Sequence, residues 1–329
     1  MGYNIAVIGA SGMVGRKILQ VLAEENIEIE NLYLFSSSRS AGGEIIFKNI
    51  SYNLIELKEE NFKNIKIDYA LFCAGGSISK EFVPKFAKLG VIVIDNSSAF
   101  RMNSDVPLIV PEVNAHAITN HKNIISNPNC STIQAVVALA PLHKVYGIKR
   151  IVFSTYQAVS GAGKSGVDDL KNGELGKNPK KFSAPIYNNV IPHIDEFLPN
   201  GYTKEEQKMI DETRKILDDN NIKITATTVR VPVENCHSES INVQFKKPFL
   251  LDEVKDILFE AKGVKLFDDP AYNVYPMPFI ADNKNEVFIG RLRVDDSVEN
   301  GLNMWVVADN LRKGAATNAV QILQTLINR

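Results

Sequence analysis

The sequence predicts an α/β protein with two domains. The first is built on a doubly wound parallel sheet, and the second is an α+β domain with a mainly antiparallel sheet. Three observations lead to this prediction. Short apolar strand segments alternate with helical segments through the first half, which is typical of parallel sheets. Longer strand candidates dominate the second half. The chain has 329 residues, enough for two domains with a large core.

The first element is a short apolar strand at residues 3–8, and a glycine-rich turn follows it at residues 9–15. A segment of helical periodicity continues over residues 16–25. The turn has the spacing G-x-x-G-x-x-G, with Gly9, Gly12 and Gly15 as its glycines. Glycines allow a backbone to approach a pyrophosphate, and the helix N-terminus supplies N–H donors. A strand before the turn and a helix after it therefore predict a Rossmann-type dinucleotide site.

The second strand, residues 32–35, is followed by a serine-rich turn that contains Arg39 and Ser40. An NAD-binding domain usually has an acidic residue here for the ribose 2′-hydroxyl, whereas an arginine suits the 2′-phosphate of NADP. No acid occurs until Glu44. We therefore expect NADP, with a solvated loop arginine as the alternative.

Two more strands are predicted at residues 69–74 and 91–95, with a helix at residues 79–89 between them. Cys73 falls within the first of these strands, and we expect it in the core. Gly75 and Gly76 follow that strand, at the carboxyl edge of the sheet where cofactors bind.

Cys130 precedes an apolar helical segment at residues 133–145, and Ser131 and Thr132 suit the first turn of that helix. A helix N-terminus favours negative charge, so it favours the nucleophilic thiolate. The alternative is a small buried side chain, the common fate of a free cysteine.

The second half contains long strand candidates, with helices at residues 204–219 and 251–262. The strand candidates are residues 150–159, 222–233, 238–246, 286–294 and 303–308. A final helix is predicted at residues 309–327, and we expect it to pack on the first domain. The predicted domains are therefore residues 1–129 with 309–329, and residues 130–308.

Three polar residues occur at the ends of these strands. Gln157 precedes a glycine-rich loop, Arg230 interrupts an apolar strand, and His237 begins another. Each alone is often structural. Together with Cys130 they supply a nucleophile, a general acid/base and an anion anchor.

Composition excludes several classes of protein. The formal net charge is −1, which gives no reason to expect a nucleic acid or an anionic membrane as partner. No apolar run reaches the length of a membrane helix, and no signal peptide is visible. The three cysteines lack CxxC spacing. We therefore expect no disulfide, no metal and a cytoplasmic location.

Six ordered motifs resemble the aspartate-semialdehyde dehydrogenase family, in its shorter bacterial form, over essentially the whole chain. They lie at residues 9–15, 38–42, 95–101, 127–132, 155–163 and 230–233.

The resemblance implies the reversible conversion of L-4-aspartyl phosphate and NADPH to L-aspartate 4-semialdehyde, phosphate and NADP. The product of this reaction feeds lysine, methionine and threonine synthesis. Cys130 would form an acyl thioester, and His237 would act as general acid/base. Gln157 would orient the substrate, and Arg230 would bind its α-carboxylate.

The resemblance also implies a phosphate site at Arg101 and Lys208, with Glu205 as a further substrate contact. On spacing alone, Glu205 and Lys208 could be a plain surface ion pair. The residues implied for NADP are Gly9, Ser11, Gly12, Met13, Val14, Arg39, Ser40, Ser160, Gly161 and Asn310. Asn310 could equally be a helix N-cap. The family further implies a homodimer or homotetramer.

Other interpretations remain open. N-acetyl-γ-glutamyl-phosphate reductase shares the thioester chemistry, and a glyceraldehyde-phosphate dehydrogenase-like enzyme is more remote. An inactive NADP-binding paralogue would be expected to lack Cys130, Arg230 or His237, and all three are present. Cys236, beside His237, departs from the small residue common in shorter forms. We expect Cys236 to lie in a strand and serve packing only.

Overall fold

The structure is a computed structural model and describes residues 2–328. In chain order, the strands are β1 (Tyr3–Ile8), β2 (Ile29–Ser36), β3 (Glu44–Phe47), β4 (Ile50–Glu56), β5 (Tyr69–Phe72), β6 (Ile92–Asp95), β7 (Ile124–Ser126), β8 (Ile148–Gln157), β9 (Lys223–Arg230), β10 (His237–Phe245), β11 (Val264–Leu266), β12 (Val287–Asp295) and β13 (Gly301–Ala308). The helices are α1 (Met13–Glu24), α2 (Gly76–Lys88), α3 (Pro111–Asn114), α4 (Cys130–Tyr146), α5 (Lys164–Glu174), α6 (Lys204–Leu217), α7 (Leu251–Glu260), α8 (Pro278–Ala281) and α9 (Thr317–Ile327).

The first seven strands form one sheet in the order β3-β4-β2-β1-β5-β6-β7. Every neighbouring pair is parallel except the edge pair β3 and β4, which is antiparallel. The prediction of a doubly wound parallel sheet is therefore confirmed. The sequence did not predict the β3–β4 hairpin.

The apolar residues of β1 show why this sheet carries helices on both faces. Ile5 and Val7 belong to one core cluster, and Ala6 and Ile8 belong to the other. Successive side chains of a strand point to opposite faces, so a strand that is apolar throughout must be covered twice. Helix α9 contributes to the cluster around Ile5.

The remaining six strands form a second, mixed sheet in the order β11-β12-β13-β10-β8-β9. The β8–β9 and β11–β12 pairs are parallel, and the three other pairs are antiparallel. The predicted α+β architecture is therefore confirmed. Helix α4 is buried almost throughout, because nearly every residue from Ser131 to Leu142 is apolar or small.

The chain divides into two units, and their boundaries differ slightly from the predicted ones. One unit runs to Pro128 and includes the residues from Ala315 onward, and the other spans Asn129–Gly314. Residues 309–314 thus belong to the second unit. A Cβ built on Gly314 would lie 2.8 Å from the Cβ of Cys130, so this segment packs closely on the start of α4.

The final helix begins later than predicted, at Thr317 rather than at residue 309. A π-helical turn, Arg312–Ala316, precedes it. The side chain of Asp309 accepts hydrogen bonds from the backbone N–H groups of Leu311 and Arg312, which directs the chain into a turn before the helix. Asp309, and not Asn310, therefore caps this turn.

Cys73 lies one residue beyond β5, so the predicted strand position was wrong, but the side chain is partly buried and packs against a core cluster of this sheet. Its Sγ donates to the carbonyl of Ile8 at 3.0 Å, and burial raises the pKa of the thiol to about 12.

Over residues 2–328, no helix is both long and apolar enough to span a membrane.

Candidate active site

Cys130 is the first residue of α4, whereas the prediction placed it just before the first turn of the helix. Asn129 is the N-cap residue, with extended backbone angles (φ −62°, ψ 143°). The Sγ of Cys130 donates to the side-chain oxygen of Asn129 at 3.3 Å. The free N–H groups of the first helical turn stabilise negative charge at this position.

Two buried carboxylates of α6 hold Asn129. The backbone N–H of Asn129 donates to Glu212 at 2.6 Å, and its side-chain NH₂ donates to Glu205 at 2.8 Å. A capping box between Thr203 and Glu206 fixes the start of α6. The sequence interpretation missed Asn129 and Glu212. Glu205 and Glu212 are two turns apart on one face of the helix. This spacing could have indicated from the sequence that Glu212 lies beside Glu205.

Gln157, Arg230 and His237 meet at one edge of the second sheet. Gln157 ends β8 and Arg230 ends its parallel neighbour β9, and the two residues are paired in register. His237 begins β10, which runs antiparallel to β8, so it lies at the same edge. All three side chains are buried. The structure therefore brings these predicted residues together.

The imidazole of His237 is held in one tautomer. Its Nδ1 accepts a hydrogen bond from the backbone N–H of Ala158 at 3.0 Å, so the proton of the neutral ring is on Nε2. Burial, with the nearby charge of Arg230, shifts the pKa of His237 well below its usual 6.5. His237 is therefore neutral at pH 7. Its Nε2–H has no hydrogen-bond partner among the described residues.

The guanidinium of Arg230 donates to the carbonyl of Ala158 at 2.6 Å and lies over the ring of Phe182. Burial lowers the pKa of Arg230, while the charges of Glu205 and Cys130 raise it. Its Nε is buried without an acceptor among residues 2–328. The group is therefore a cation with donor capacity for an anionic ligand.

Gly161 lies directly against these two side chains. A Cβ at Gly161 would lie 2.9 Å from a terminal nitrogen of Arg230 and 3.3 Å from Nε2 of His237. Any larger residue would therefore press against both groups. Glycine at this position lets the loop approach the guanidinium and the Nε2–H of His237 closely.

Glu205 links several of these groups through its carboxylate. One oxygen accepts from Asn129 and from Gln157 at 3.2 Å, and the other accepts from Lys208 at 3.2 Å. Burial alone would raise the pKa of Glu205. The charge of Lys208 and the two amides outweigh burial, so that pKa is lowered. Glu205 is therefore an ionised group inside the site.

The ion pair between Lys208 and Glu205 is not a simple i,i+3 pair on the protein surface. The ammonium of Lys208 contacts Glu205 and also Asp195, at 2.7 Å, and the Lys208 side chain is only 25% exposed. Burial lowers the pKa of Lys208, but the two carboxylates raise it by more. Asp195 lies in a loop, and no sequence signal singled it out.

In the first unit, the glycine-rich loop has the form that a pyrophosphate requires. Gly9 has φ +86°, and a Cβ there would meet the carbonyl of Cys73 at 3.0 Å. Gly12 is the N-cap of α1, and Met13 and Val14 begin the helix. A cleft of about 350 Å³ opens beside the loop, lined by residues that include Gly9, Ser11 and Gly12. These residues fit a dinucleotide.

Arg39 and Ser40 lie in the turn after β2, and Arg39 is exposed.

Arg101 also lies in the first unit, and it is buried. Its Nε donates to the carbonyl of Asn127 at 2.9 Å, and a terminal nitrogen donates to the carbonyl of Asn96 at 2.8 Å. The backbone therefore fixes the orientation of the Arg101 side chain.

Ser160 and Asn310 form a buried hydrogen-bonded pair in the second unit. The side-chain oxygen of Asn310 also accepts from the backbone N–H of Cys236 at 2.9 Å. Cys236 was expected within a strand, and this prediction was wrong. The residue directly precedes β10 and has a left-handed φ of +72°. Burial, with Asp309 and Asp282, raises the pKa of the Cys236 thiol. Its side chain packs with Ala281, Phe288 and Val307.

The chain matches two family descriptions along most of its length. Residues 4–121 match "Semialdehyde dehydrogenase, NAD binding domain", and residues 139–313 match "Semialdehyde dehydrogenase, dimerisation domain". An aspartate-semialdehyde dehydrogenase of Aquifex aeolicus is 54% identical, over 99% of this chain and 98% of the relative. That of Bacillus subtilis is 46% identical, over 99% and 97%.

Solved structures agree with these relatives. Aspartate semialdehyde dehydrogenase II of Vibrio cholerae, also solved with ASA, has a TM-score of 0.94 at 43% identity and covers 100% of this chain and 99% of that one. The Candida albicans enzyme with NADP has a TM-score of 0.80 at 26% identity, covering 99% of both chains. Fold and site thus define an oxidoreductase that uses a nicotinamide cofactor. The chain belongs to the aspartate-semialdehyde dehydrogenase family, so the predicted family is confirmed.

Proposed function

We propose that this chain catalyses the reversible, phosphate-dependent oxidation of L-aspartate 4-semialdehyde to L-4-aspartyl phosphate, with NADP as cofactor. In the biosynthetic direction, this is the reductive dephosphorylation that leads toward lysine, methionine and threonine. One observation carries the proposal. A cysteine at a helix start shares its unit with an arginine, a glutamine and a tautomer-locked histidine that meet at one sheet edge.

Cys130 would act as the nucleophile. In the biosynthetic direction its thiolate attacks the acyl carbon of aspartyl phosphate, the C–S bond forms, and the C–O bond to phosphate breaks with release of inorganic phosphate. The product on the protein is an acyl thioester at Sγ. The position of Cys130 at the start of α4 supports this role, because the helix terminus stabilises the thiolate.

His237 would supply the hydrogen bond that reduction of the thioester requires. A bound nicotinamide cofactor provides or accepts the hydride. Hydride addition leaves a negative oxygen on the former carbonyl carbon, and the Nε2–H of His237 is the donor available for that oxygen. Expulsion of the thiolate then gives the aldehyde.

Arg230, Gln157 and Glu205 would hold the amino-acid end of the substrate. A planar guanidinium matches the α-carboxylate in a two-point contact. The carboxylate of Glu205 would bind the α-ammonium group, and Gln157, which donates to Glu205, would orient the chain of the substrate. The opposite charges of Arg230 and Glu205 suit the two charges of an α-amino acid.

Arg101 and Lys208 would bind the phosphate group, a role supported by their positive charge and by the motifs in which they occur. Arg39 and Ser40 would bind the 2′-phosphate of NADP, which favours NADP over NAD. The loop residues Gly9, Ser11, Gly12, Met13 and Val14 would hold the pyrophosphate. Ser160, Gly161 and Asn310 would contact the nicotinamide.

We further propose that the protein works in the cytoplasm as a homodimer or homotetramer. The match of residues 139–313 to a dimerisation domain supports assembly. The three free cysteines suit a reducing compartment.

A coupled pair of assays tests the proposed function. We expect NADP reduction with L-aspartate 4-semialdehyde, and we expect it to depend on added phosphate. The matched comparison replaces the substrate with N-acetyl-L-glutamate 5-semialdehyde, and a second comparison replaces NADP with NAD. Turnover with the acetylated substrate and none with aspartate semialdehyde would overturn the assignment.

A further inference from the structure

Two residues further into the strands from the sheet edge that carries Arg230, Gln157 and His237, three neighbouring strands each have another polar residue, and these form a second row. Thr228 of β9 is paired with Thr155 of β8, and Thr155 is paired with Glu239 of β10. Each member of this row is two residues deeper in its strand than its counterpart at the edge. Residues two apart in a strand share a face, so Glu239 lies on the same side of the sheet as His237.

Glu239 is an unusual member of this row because it is a fully buried acid. Its side chain has no exposed surface, and neither carboxyl oxygen has a hydrogen-bond partner among residues 2–328. No described lysine, arginine or histidine forms an ion pair with it. A buried, unpaired carboxylate is very costly, so a carboxyl group in this setting keeps its proton.

Gln134 of α4 lies between Glu239 and the catalytic histidine. Its side-chain NH₂ donates to the main-chain carbonyl of His237 at 3.3 Å, while its oxygen is buried without a donor among the described residues. The Gln134 side chain also interacts with the carboxyl of Glu239, and this contact lowers the pKa of the acid. Burial outweighs it, so the pKa is raised and the carboxyl that faces the Gln134 amide is neutral.

The charged groups around Glu239 agree with this assignment. Burial raises its pKa well above the usual 4.5, and the carboxylate of Glu205 on α6 raises it further, while the amide of Gln134 lowers it. On its own strand it shares a face with His237, which is neutral. The residues paired with it on the neighbouring strands are Thr155 of β8 and Val306 of β13, which carry no charge.

We propose that Glu239 is a positioning residue, a neutral carboxylic acid that holds the side-chain amide of Gln134 in place and, through the hydrogen bond from Gln134, the main chain of His237. This inference deepens the proposed function, on which it rests for its kinetic consequences. A proton on Glu239 also keeps a second negative charge away from Glu205.

The direct test is infrared difference spectroscopy of the whole protein at neutral pH, comparing wild type with Glu239→Gln. We expect a protonated-carboxyl C=O band in wild type that the variant lacks. Absence of that band means that Glu239 is ionised, and the proposal fails. The spectra need no substrate, so this result stands whether or not the chain oxidises aspartate semialdehyde.

Kinetics then test the positioning role with two variants. Glutamine is also a neutral donor, so Glu239→Gln should keep kcat within about threefold of wild type from about pH 6 to pH 8. Leucine has similar size and no donor, so Glu239→Leu should lower kcat about tenfold or more, with KM for the semialdehyde changed less than about twofold.

Glu253→Gln is the control, since Glu253 is an acid of α7 that accepts from the hydroxyl of Tyr146 and has no part in the proposed site. It should leave the dependence of kcat on pH unchanged. If Glu239→Gln loses as much kcat as Glu239→Leu, the residue is needed as an anion or as a proton source, and the proposal is wrong. If Glu239→Leu does not fold, the spectra and the glutamine variant still decide.

Discussion

The backbone N–H of Ala158 donates to Nδ1 of His237, and the carbonyl of the same residue accepts from Arg230. One main-chain unit thus orients both the histidine and the arginine of the site. The hydrogen bond to Nδ1 keeps the histidine proton on Nε2, and the carbonyl fixes one arm of the guanidinium. Because the contacts come from the backbone, most substitutions of Ala158 would preserve them.

Ala158→Pro removes the N–H and tests its role. Ala158 has φ −61° and ψ 150°, and proline adopts these angles without strain. The Cδ of proline takes the place of the hydrogen on the backbone nitrogen, which lies 3.0 Å from Nδ1, so the ring must move aside and can adopt the other tautomer, which places the proton away from the substrate. We expect kcat to fall about 10- to 100-fold, measured by semialdehyde-dependent NADP reduction. Ala158→Gly keeps the N–H and is the control. A proline variant with wild-type kcat would show that the position and tautomer in which the backbone holds the ring do not matter.

Arg230→Lys should chiefly impair use of the semialdehyde. An ammonium cannot make the two-point contact with a carboxylate, and it is too short to keep the contact with Ala158 as well. We expect kcat/KM for the semialdehyde to fall about 100-fold while KM for NADP changes little. Arg150→Lys, in the same sheet but hydrogen-bonded to Asn242, is the control. Unchanged kinetics in Arg230→Lys would remove the carboxylate role.

Arg39→Leu should weaken NADP binding more than NAD binding. The exposed guanidinium lies in the turn after β2, where the charge of a 2′-phosphate would need a partner. Loss of one charge-assisted contact corresponds to roughly 1.5–3 kcal/mol, or about 10- to 150-fold in affinity for NADP. Titration of both cofactors by fluorescence measures this. Equal losses for NADP and NAD would contradict the assignment.

Glu239→Gln should stabilise the protein, by a margin that grows with pH. The folded pKa of Glu239 lies above its unfolded value of about 4.5, so above pH 4.5 the folded state binds the extra proton. The free energy of unfolding of wild type therefore decreases as pH rises through this window, and the glutamine variant lacks that decrease. Thermal unfolding at a series of pH values from about 5 to 8 measures the difference. A margin that does not depend on pH would contradict a protonated Glu239.

The sequence predicted the parts of this protein that local chemistry determines. The glycine turn at Gly9 was recognisable because only glycine fits its backbone, and Cys130 because it precedes a long apolar helix. The strand ends at Gln157 and Arg230 were found because polar residues stand out against apolar periodicity. The β3–β4 hairpin and α5 were missed because their patterns are short or mostly polar.

Contacts between distant segments could not be predicted. Glu212 and Asn129 are 83 positions apart, and no local rule connects them. Glu239 looks like an ordinary polar residue in an alternating strand, and only its burial against α4 shows that it is an acid without a partner. The apolar periodicity of α4 begins at residue 133, and Ser131 and Thr132 suit its first turn, but the sequence does not show that Cys130 is itself the first helical residue.

The central claim is that Cys130 carries an acyl thioester, and a single-turnover experiment without phosphate tests it. With NADP and L-aspartate 4-semialdehyde alone, we expect a burst of NADPH of about one equivalent per site, after which the reaction stalls until phosphate is added. Intact-protein mass spectrometry of the stalled enzyme should show the aspartyl group on Cys130, and Cys130→Ala should show neither burst nor adduct. Steady NADPH formation without phosphate, or a burst in Cys130→Ala, would contradict the thioester mechanism.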